Sequence, residues 1–532
     1  MSTRWTRHRN RLAAVGLASV LALAACGAAP ERNGGEDLES KFDHSVELAD
    51  DYDPNGHFNY GLSTMTPTWD PIASVSGYDY TSLAPVYDRL VYNSPDGTLE
   101  PMLATAWHSE DNDTSLVLEL REGVTFSDGT PFNAEAVKIN LDRALGEGSR
   151  IAVEIAQLTA VEVVDEHTVK LRTETGAGAL LGALSQRPGM MASPQAIAAG
   201  NLATTPTGAG PYTVTDFVSG DSTDYAKRDG YWDPDAQRVA TMTVKLMTDD
   251  QTRLNALQSG ELDASIVRPV QAISADKSGM TVISRPSVIF LYLLINSAQE
   301  PFNDPLVREA LNYAVDRVDI GEGLFEGLCD PQIQPWPSDS IAWSDEIGDG
   351  LDIWPHDPEK AKALLAEAGY PDGGITMPTV TTNVTFVMQL SEILQAQLSE
   401  VGITMTIEPV PTPQVVELFS VTKSVAANVN PYSGSSDPHG IASRHFLPGS
   451  VYDVGDPVDP SIIELATEAS TPLDPAKRTP IYHEMMQAMI DHPTHLLPLC
   501  AQHVSVALNP DKVSGLSVYT AGFMDLRGVA VK

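Results

Sequence analysis

The chain has 532 residues, which at roughly 150 residues per unit exceeds one ordinary domain and points to three or four structural units. An apolar fraction of 42% excludes wholesale disorder. With 71 acidic against 33 basic residues the formal charge is −38, which repels phosphate backbones and excludes nucleic acid as a natural partner.

The first 25 residues carry Arg4, Arg7, Arg9 and Arg11 and no acid, followed by an uncharged run from Leu12 to Ala25. As a helix that run is about 21 Å long, short of the roughly 30 Å hydrocarbon core. A basic start with a short apolar run reads as a secretory signal over residues 1–25, not a permanent span. No later stretch approaches 18 apolar residues, so the mature chain is not expected to cross a membrane. The segment Leu23-Ala24-Ala25-Cys26-Gly27 resembles a bacterial lipobox. That resemblance implies lipid on Cys26 and attachment to the cell membrane from outside, with a mature charge of −42. The other reading is a generic small-residue cleavage site. Two cysteines then remain, Cys329 and Cys500; for an exported chain the even number suggests one disulfide, against two separate buried thiols. Residues 27–60 hold nine acids against two bases, and 26–55 is expected to be a flexible tether.

Strand and helix signals then alternate. Leu116 to Leu120 reads as a strand ending in the turn Arg121-Glu122-Gly123, and Asn133 is placed to cap a helix with Val137, Leu141 and Leu145 on one face. Thr241 to Leu246 alternates with period two. Val288 to Ile295 is continuously apolar, as in a strand covered on both faces or passing between domains. Three helices open with Asp as cap and Pro at the first helical position, at Asp304-Pro305, Asp357-Pro358 and Asp474-Pro475. The second ends at Gly369 with Pro371 beyond. The mixture implies α/β lobes.

Several short motifs follow one another in a fixed order. They are Leu116-Val117-Leu118-Glu119-Leu120-Arg121-Glu122-Gly123-Val124-Thr125-Phe126 with Ser127-Asp128-Gly129-Thr130-Pro131-Phe132, then Thr207-Gly208-Ala209-Gly210-Pro211-Tyr212, Tyr231-Trp232 and Ala256 to Asp263. Asn296, Pro301, Asp304 and Val307-Arg308-Glu309-Ala310-Leu311 continue the series, and Ala361-Lys362-Ala363-Leu364-Leu365 with Gly369-Tyr370 completes it. In this order the chain resembles the family 5 extracytoplasmic solute-binding proteins, receptors of peptide, nickel and related ABC importers, from about Tyr60 to Val531. Thr125 departs from the pattern, where small polar or basic residues are usual.

The resemblance implies a two-lobed, hinged α/β fold of the type II periplasmic-binding-protein kind with an extra subdomain in the N-terminal lobe. The first lobe is expected over 56–288 plus 500–532, the extra subdomain over about 76–205, and the second lobe over 289–499. Crossings are expected near Ile283–Leu294 and His495–Val504, with closure on a ligand as the switch.

The same resemblance places the ligand loop at 430–438. Peptide-binding relatives often carry an aromatic-x-Gly-Asp stretch there, whose Asp pairs with the peptide ammonium. Here Tyr432-Ser433-Gly434-Ser435 puts a hydroxyl at Ser435 in place of the carboxylate. Asp437 is either a substitute or a helix cap before Pro438, and Tyr432 either stacks on the ligand or packs as an ordinary ring. Arg444 either forks a ligand carboxylate or pairs within an acidic surface. Thr64, Met65 and Thr66 after Ser63, Asn383, and Trp336 or Trp343 are further candidates.

Catalytic and metal motifs do not assemble. His483-Glu484-Met485-Met486-Gln487 lacks the second His of a zincin, and His492, His495 and His503 are irregularly spaced with prolines between. Gly434-Ser435-Ser436-Asp437-Pro438 breaks the nucleophile-elbow pattern. The sequence is therefore expected to encode a monomeric receptor, not an enzyme and without a cofactor or metal, that passes a small solute to ABC permease subunits. A short peptide is the first cargo class; a metal chelate, opine, glycan or haem is the alternative, and a secreted hydrolase the rival of another kind.

Overall fold

The computed structural model describes residues 41–532, apart from Val75, Thr175, 433–435 and 455–457, and the side chains of Thr412 and Pro413. The signal segment, Cys26, Ser433 and Ser435 therefore lie outside the described residues. Among the described residues, no helix is long and apolar enough to cross a membrane.

The expected tether ends earlier than residue 55. Ser284 donates its N–H to Asp43 O (2.9 Å), Ser45–Val46 pairs antiparallel with Leu516–Ser517, and Asp53 N donates to Val531 O (2.7 Å). Val46 also packs on the neighbouring core. The acidic composition masked this docking, because the bonds are made by backbone and place no demand on side-chain type.

Strand β1 (His57–Leu62) lies in the first core. A separate four-stranded sheet follows, with β2 (Ala104–Glu110), β3 (Ser115–Leu120), helix α1 (Ala134–Leu145), β4 (Leu158–Asp165) and β5 (Thr168–Thr173). Its order is β2-β3-β5-β4, and its own core runs from Leu90 to Ala209. Asn133 caps α1 as its spacing predicts, its side chain accepting from Ala136 N (3.0 Å). The six-residue helix α2 (Gly178–Ala183) completes this subdomain.

The chain then returns to the main sheet through β6 (Tyr212–Val218), β7 (Ser222–Lys227), β8 (Thr241–Leu246) and β9 (Ala264–Val267). The Gly-Pro-Tyr landmark has a steric cause here. A Cβ on Gly208 would sit 2.1 Å from Val86 O, and one on Gly210 2.4 Å from Val86 C. Gly210 N and Tyr212 N bond to Val86 O and Pro85 O (2.8 Å each), so the two backbones run in contact. Tyr231 and Trp232 both donate to the buried Asp88 carboxylate (2.9 and 2.7 Å).

Strand β10 (Thr281–Ile295) carries the chain out of the first core and into a second. There follow α3 (Pro305–Ala314), α4 (Pro358–Glu367), β11 (Ile375–Thr382), α5 (Thr385–Glu400), β12 (Ile403–Val410) and β13 (Ala427–Tyr432). Helices α6 (His439–His445), α7 (Pro460–Ala469) and α8 (Pro475–Asp491) precede the return strand β14 (Leu496–Leu508). The three Asp-Pro starts cap α3, α4 and α8, each Asp accepting from a first-turn N–H at 2.9 Å.

The main sheet runs β12-β11-β13-β10-β14-β9-β1-β8-β7-β6, so β10 and β14 belong to both halves. They pair antiparallel from Thr281↔Leu508 to Leu294↔Leu496, with the register shifting between Pro286 and Phe290. Pro286 has no N–H to offer the ladder, which places the irregularity where the strands pass between cores. Separate hydrophobic cores on either side, one gathered from Phe58 to Val531 and the others within 290–500, define the two lobes. Cys329 and Cys500 form a disulfide with Cα atoms 5.4 Å apart, tying the strand Cys329–Pro331 to β14.

Candidate functional site

Between the lobes lies a cavity of about 550 Å³, within the range of small-molecule sites. The first lobe contributes Tyr80 and Phe523, and its subdomain contributes Glu154, Gln157, Glu174, Ala179, Ala183, Gln186 and Arg187. The second lobe contributes Tyr432, Asp437, His439, Ser443, Arg444 and the turn Leu447–Val451. A smaller recess of about 290 Å³, around Arg308, Asp459 and His492, is walled by the second lobe alone.

The lobes touch along one edge of the larger cavity. Asn93 Nδ2 donates to Ser436 Oγ (2.6 Å), and Gln186 Nε2 reaches the same oxygen at 3.5 Å. At the start of α2, Gly178 N and Ala179 N bond to Thr471 O (3.3 Å) and Ser470 O (3.1 Å). A Cβ on Gly178 would lie 2.1 Å from Pro472 O, and one on Gly182 2.7 Å from Asp437 Cβ. These glycines admit the second lobe's chain into contact with the first.

Tyr432 ends β13 and is 2% exposed. Its ring lies 5.1 Å from Phe290 and 5.9 Å from His445, so it both packs and forms cavity wall. His445 is fully buried, stacked on Tyr452 at 4.8 Å, and neither ring nitrogen has a hydrogen-bond partner among the described residues. Burial, with His495 and Arg444 adding to it, holds its pKa well below the ordinary imidazole value. Burial likewise pulls His439 and His495 down to about 4.

Asp437 lies at the cavity but is held from behind. Both carboxylate oxygens accept from Arg478 on α8 (2.7 Å each), and Oδ1 also accepts the N–H of His439 (2.9 Å), the first residue of α6. Arg478 bonds further to Ala469 O (2.8 Å) and Tyr482 OH (2.9 Å). With side chains 4% and 6% exposed, this is a buried bidentate pair. The capping role thus holds only in part, and the main partner is an arginine 41 residues away.

Arg444, on the last turn of α6, stands over the Tyr432 ring at 5.9 Å. Its side chain makes no ion pair or hydrogen bond among the described residues. Burial opposes its charge, but Tyr432, Tyr452 and Glu154 outweigh that and keep its pKa above the usual value. Arg187, the other arginine of the cavity, is paired with Glu154 and bonds to Ser74 Oγ (3.0 Å).

The remaining candidates stand elsewhere. Trp336 is 2% exposed behind the site, against Tyr482, with Nε1 donating to Pro438 O (3.4 Å). Thr66 donates to Thr68 O (2.6 Å), Met65 accepts from Thr223 at its sulfur (3.7 Å), and Thr64 is exposed. Asn383 is exposed beyond β11, and Trp343 O meets His483 Nε2 (2.8 Å). None of these lines the cavity. Sequence reasoning missed the subdomain wall from Val153 to Arg187. Its one local signal is the small-residue run Gly176-Ala177-Gly178-Ala179, which permits close approach of another chain segment.

Two lobes joined by paired crossing strands around a cavity define a hinged binding protein. Residues 98–450 match the family model of bacterial extracellular solute-binding proteins, family 5 Middle, and the chain belongs to that family. It is 33% identical over 323 residues to the glutathione-binding protein of Salmonella typhi, covering 60% of this chain and 62% of that protein. The chain thus matches under two thirds of that relative's length. The glutathione-binding protein of Escherichia coli (strain K12) is 30% identical over 402 residues, covering 74% of this chain and 72% of its own. Among solved structures, the binding protein AgaA from A. tumefacien in complex with agropinic acid superposes with a TM-score of 0.76 at 25% identity. That match covers 90% of this chain and 99% of AgaA.

Proposed function

We propose that this protein is the substrate-binding component of an ABC importer, capturing a short peptide outside the cell by lobe closure and delivering it unaltered to the permease. The observation that carries the reading is the cavity of about 550 Å³ walled by both lobes, because only a ligand touching both sides gains contacts on closure. The relatives named for glutathione, itself a tripeptide, support a small peptidic cargo. Lipid on Cys26 and a monomeric receptor complete the proposal, the first resting on the Leu23–Cys26 motif. Thermal denaturation with pooled di- and tripeptides tests it. A ligand at 100 times its Kd stabilises the folded state by about 2.7 kcal/mol and raises the midpoint; an unmoved midpoint with every pool refutes peptide capture.

A second cargo reading, a small organic acid of the opine kind, is favoured by the engagement of Asp437 with Arg478 and by the agropinic acid neighbour. Native mass spectrometry of ligand carried through gentle purification separates the two. Peptide turnover by the pure protein would instead make it a hydrolase.

A further inference from the structure

The cavity presents its charges unevenly. On the second lobe, the Asp437 carboxylate is taken up by Arg478 and the His439 N–H, so the group that would attract an ammonium there is already neutralised. Arg444 beside it is a partly buried cation at the cavity wall, with its planar fork unused by any described residue. A guanidinium that faces the cavity with its donors unused favours the arrival of a carboxylate, because charge-assisted pairs of this kind are the stronger hydrogen bonds. Glu154 acts on Arg444 across the cavity, but its carboxylate is engaged by Arg187. Tyr432, packed on Phe290, lies beneath the Arg444 guanidinium, 5.9 Å from ring centre to guanidinium carbon. On the opposite wall Glu174, just past β5, is exposed, and its carboxylate has no partner among the described residues.

We infer that the cleft takes its peptide acid-end first into the second lobe, with the terminal carboxylate on Arg444 and the ammonium directed to Glu174. The inference rests on the receptor reading above and adds a polarity to it. The planar fork matches a carboxylate in two parallel N–H···O bonds, which an amide terminus cannot reproduce.

The test is calorimetric titration of the full chain with one tripeptide pool in three forms: free acids, C-terminal amides and N-acetylated acids. Free acids bind tightest, and amides lose about 10- to 100-fold, as expected for a charge-assisted pair. Arg444→Gln brings acids to the level of amides, Arg444→Lys falls between, and Glu174→Gln removes the preference for a free amine over an acetylated one. Equal binding of acids and amides by the unmodified chain overturns the inference and leaves the receptor function standing. A folded Arg444→Gln, with unchanged melting, that still prefers acids overturns the assignment to Arg444. Failure of all three pools to bind overturns peptide capture itself, and the polarity with it.

Discussion

Replacing Asp437 by Asn tests whether this carboxylate serves the fold or the ligand. The substitution keeps the shape of the side chain and an oxygen for the His439 N–H, but removes the charge opposite Arg478. Two unit charges about 4 Å apart attract by about 4 kcal/mol at an effective dielectric constant of 20. Breaking a buried pair by removing one partner typically costs about 3–5 kcal/mol, because the other charge stays buried. Arg478 would retain Ala469 O, the Tyr482 hydroxyl and one neutral amide oxygen in place of a bidentate carboxylate, so a loss of about 3 kcal/mol is expected. Urea unfolding gives the stability and calorimetry at low denaturant gives ligand affinity. The expected result is a lowered midpoint with affinity of the folded protein nearly unchanged. Adding Arg478→Gln should restore part of the stability, as the uncompensated cation is then gone. Unchanged stability with lost affinity would refute the reasoning and make Asp437 the ligand's own partner.

Other consequences are equally direct. Cys329 and Cys500 are 171 residues apart, and a cross-link closing so long a loop restricts the unfolded chain; replacing both by Ala should lower stability by about 2–5 kcal/mol, and an unmoved urea midpoint would contradict this. His439 and His495 have folded pKa values near 4 and His445 one well below 6.5, with Arg444, Arg308, Arg478, Asp437 and Asp453 as their charged neighbours. The unfolded chain therefore binds protons first, and stability held above pH 6.5 falls as pH drops towards 4, by roughly 3 kcal/mol each for His439 and His495 and in the same direction for His445. A melting temperature flat between pH 7 and 4.5 would count against it. Gly178→Ala places a methyl where Pro472 O lies 2.1 Å away, which should hold the lobes apart. Scattering should show a larger radius of gyration and calorimetry at least a tenfold weaker affinity (about 1.4 kcal/mol), while melting stays the same. Unchanged scattering and affinity would show that the lobes close another way.

Much of the frame was legible in the chain itself. The Asp-Pro starts fixed α3, α4 and α8, because a cap and its proline act over a single turn. The apolar run at 288–295 announced the crossing strand, and the landmark motifs mark close backbone approaches such as Gly208 and Gly210 against Val86. These signals are local or depend on one residue's lack of bulk.

The site was less legible. Tyr432 and Arg444 were visible as candidates, but whether Arg444 is paired depends on what other elements bring beside it. Asp437 read as either a substitute carboxylate or a cap, the latter because its neighbour in sequence is Pro438, whereas its decisive neighbour is Arg478 on a distant helix. Thr64, Thr66 and Trp336 have the right chemistry for a ligand and stand in the wrong place for this cavity. The amino-acid sequence determined the elements, the crossing strands and the family. Only the tertiary structure decided which charges are spent on one another and which are left facing the cavity, because ion pairing depends on distances between segments that propensity and patterning do not encode.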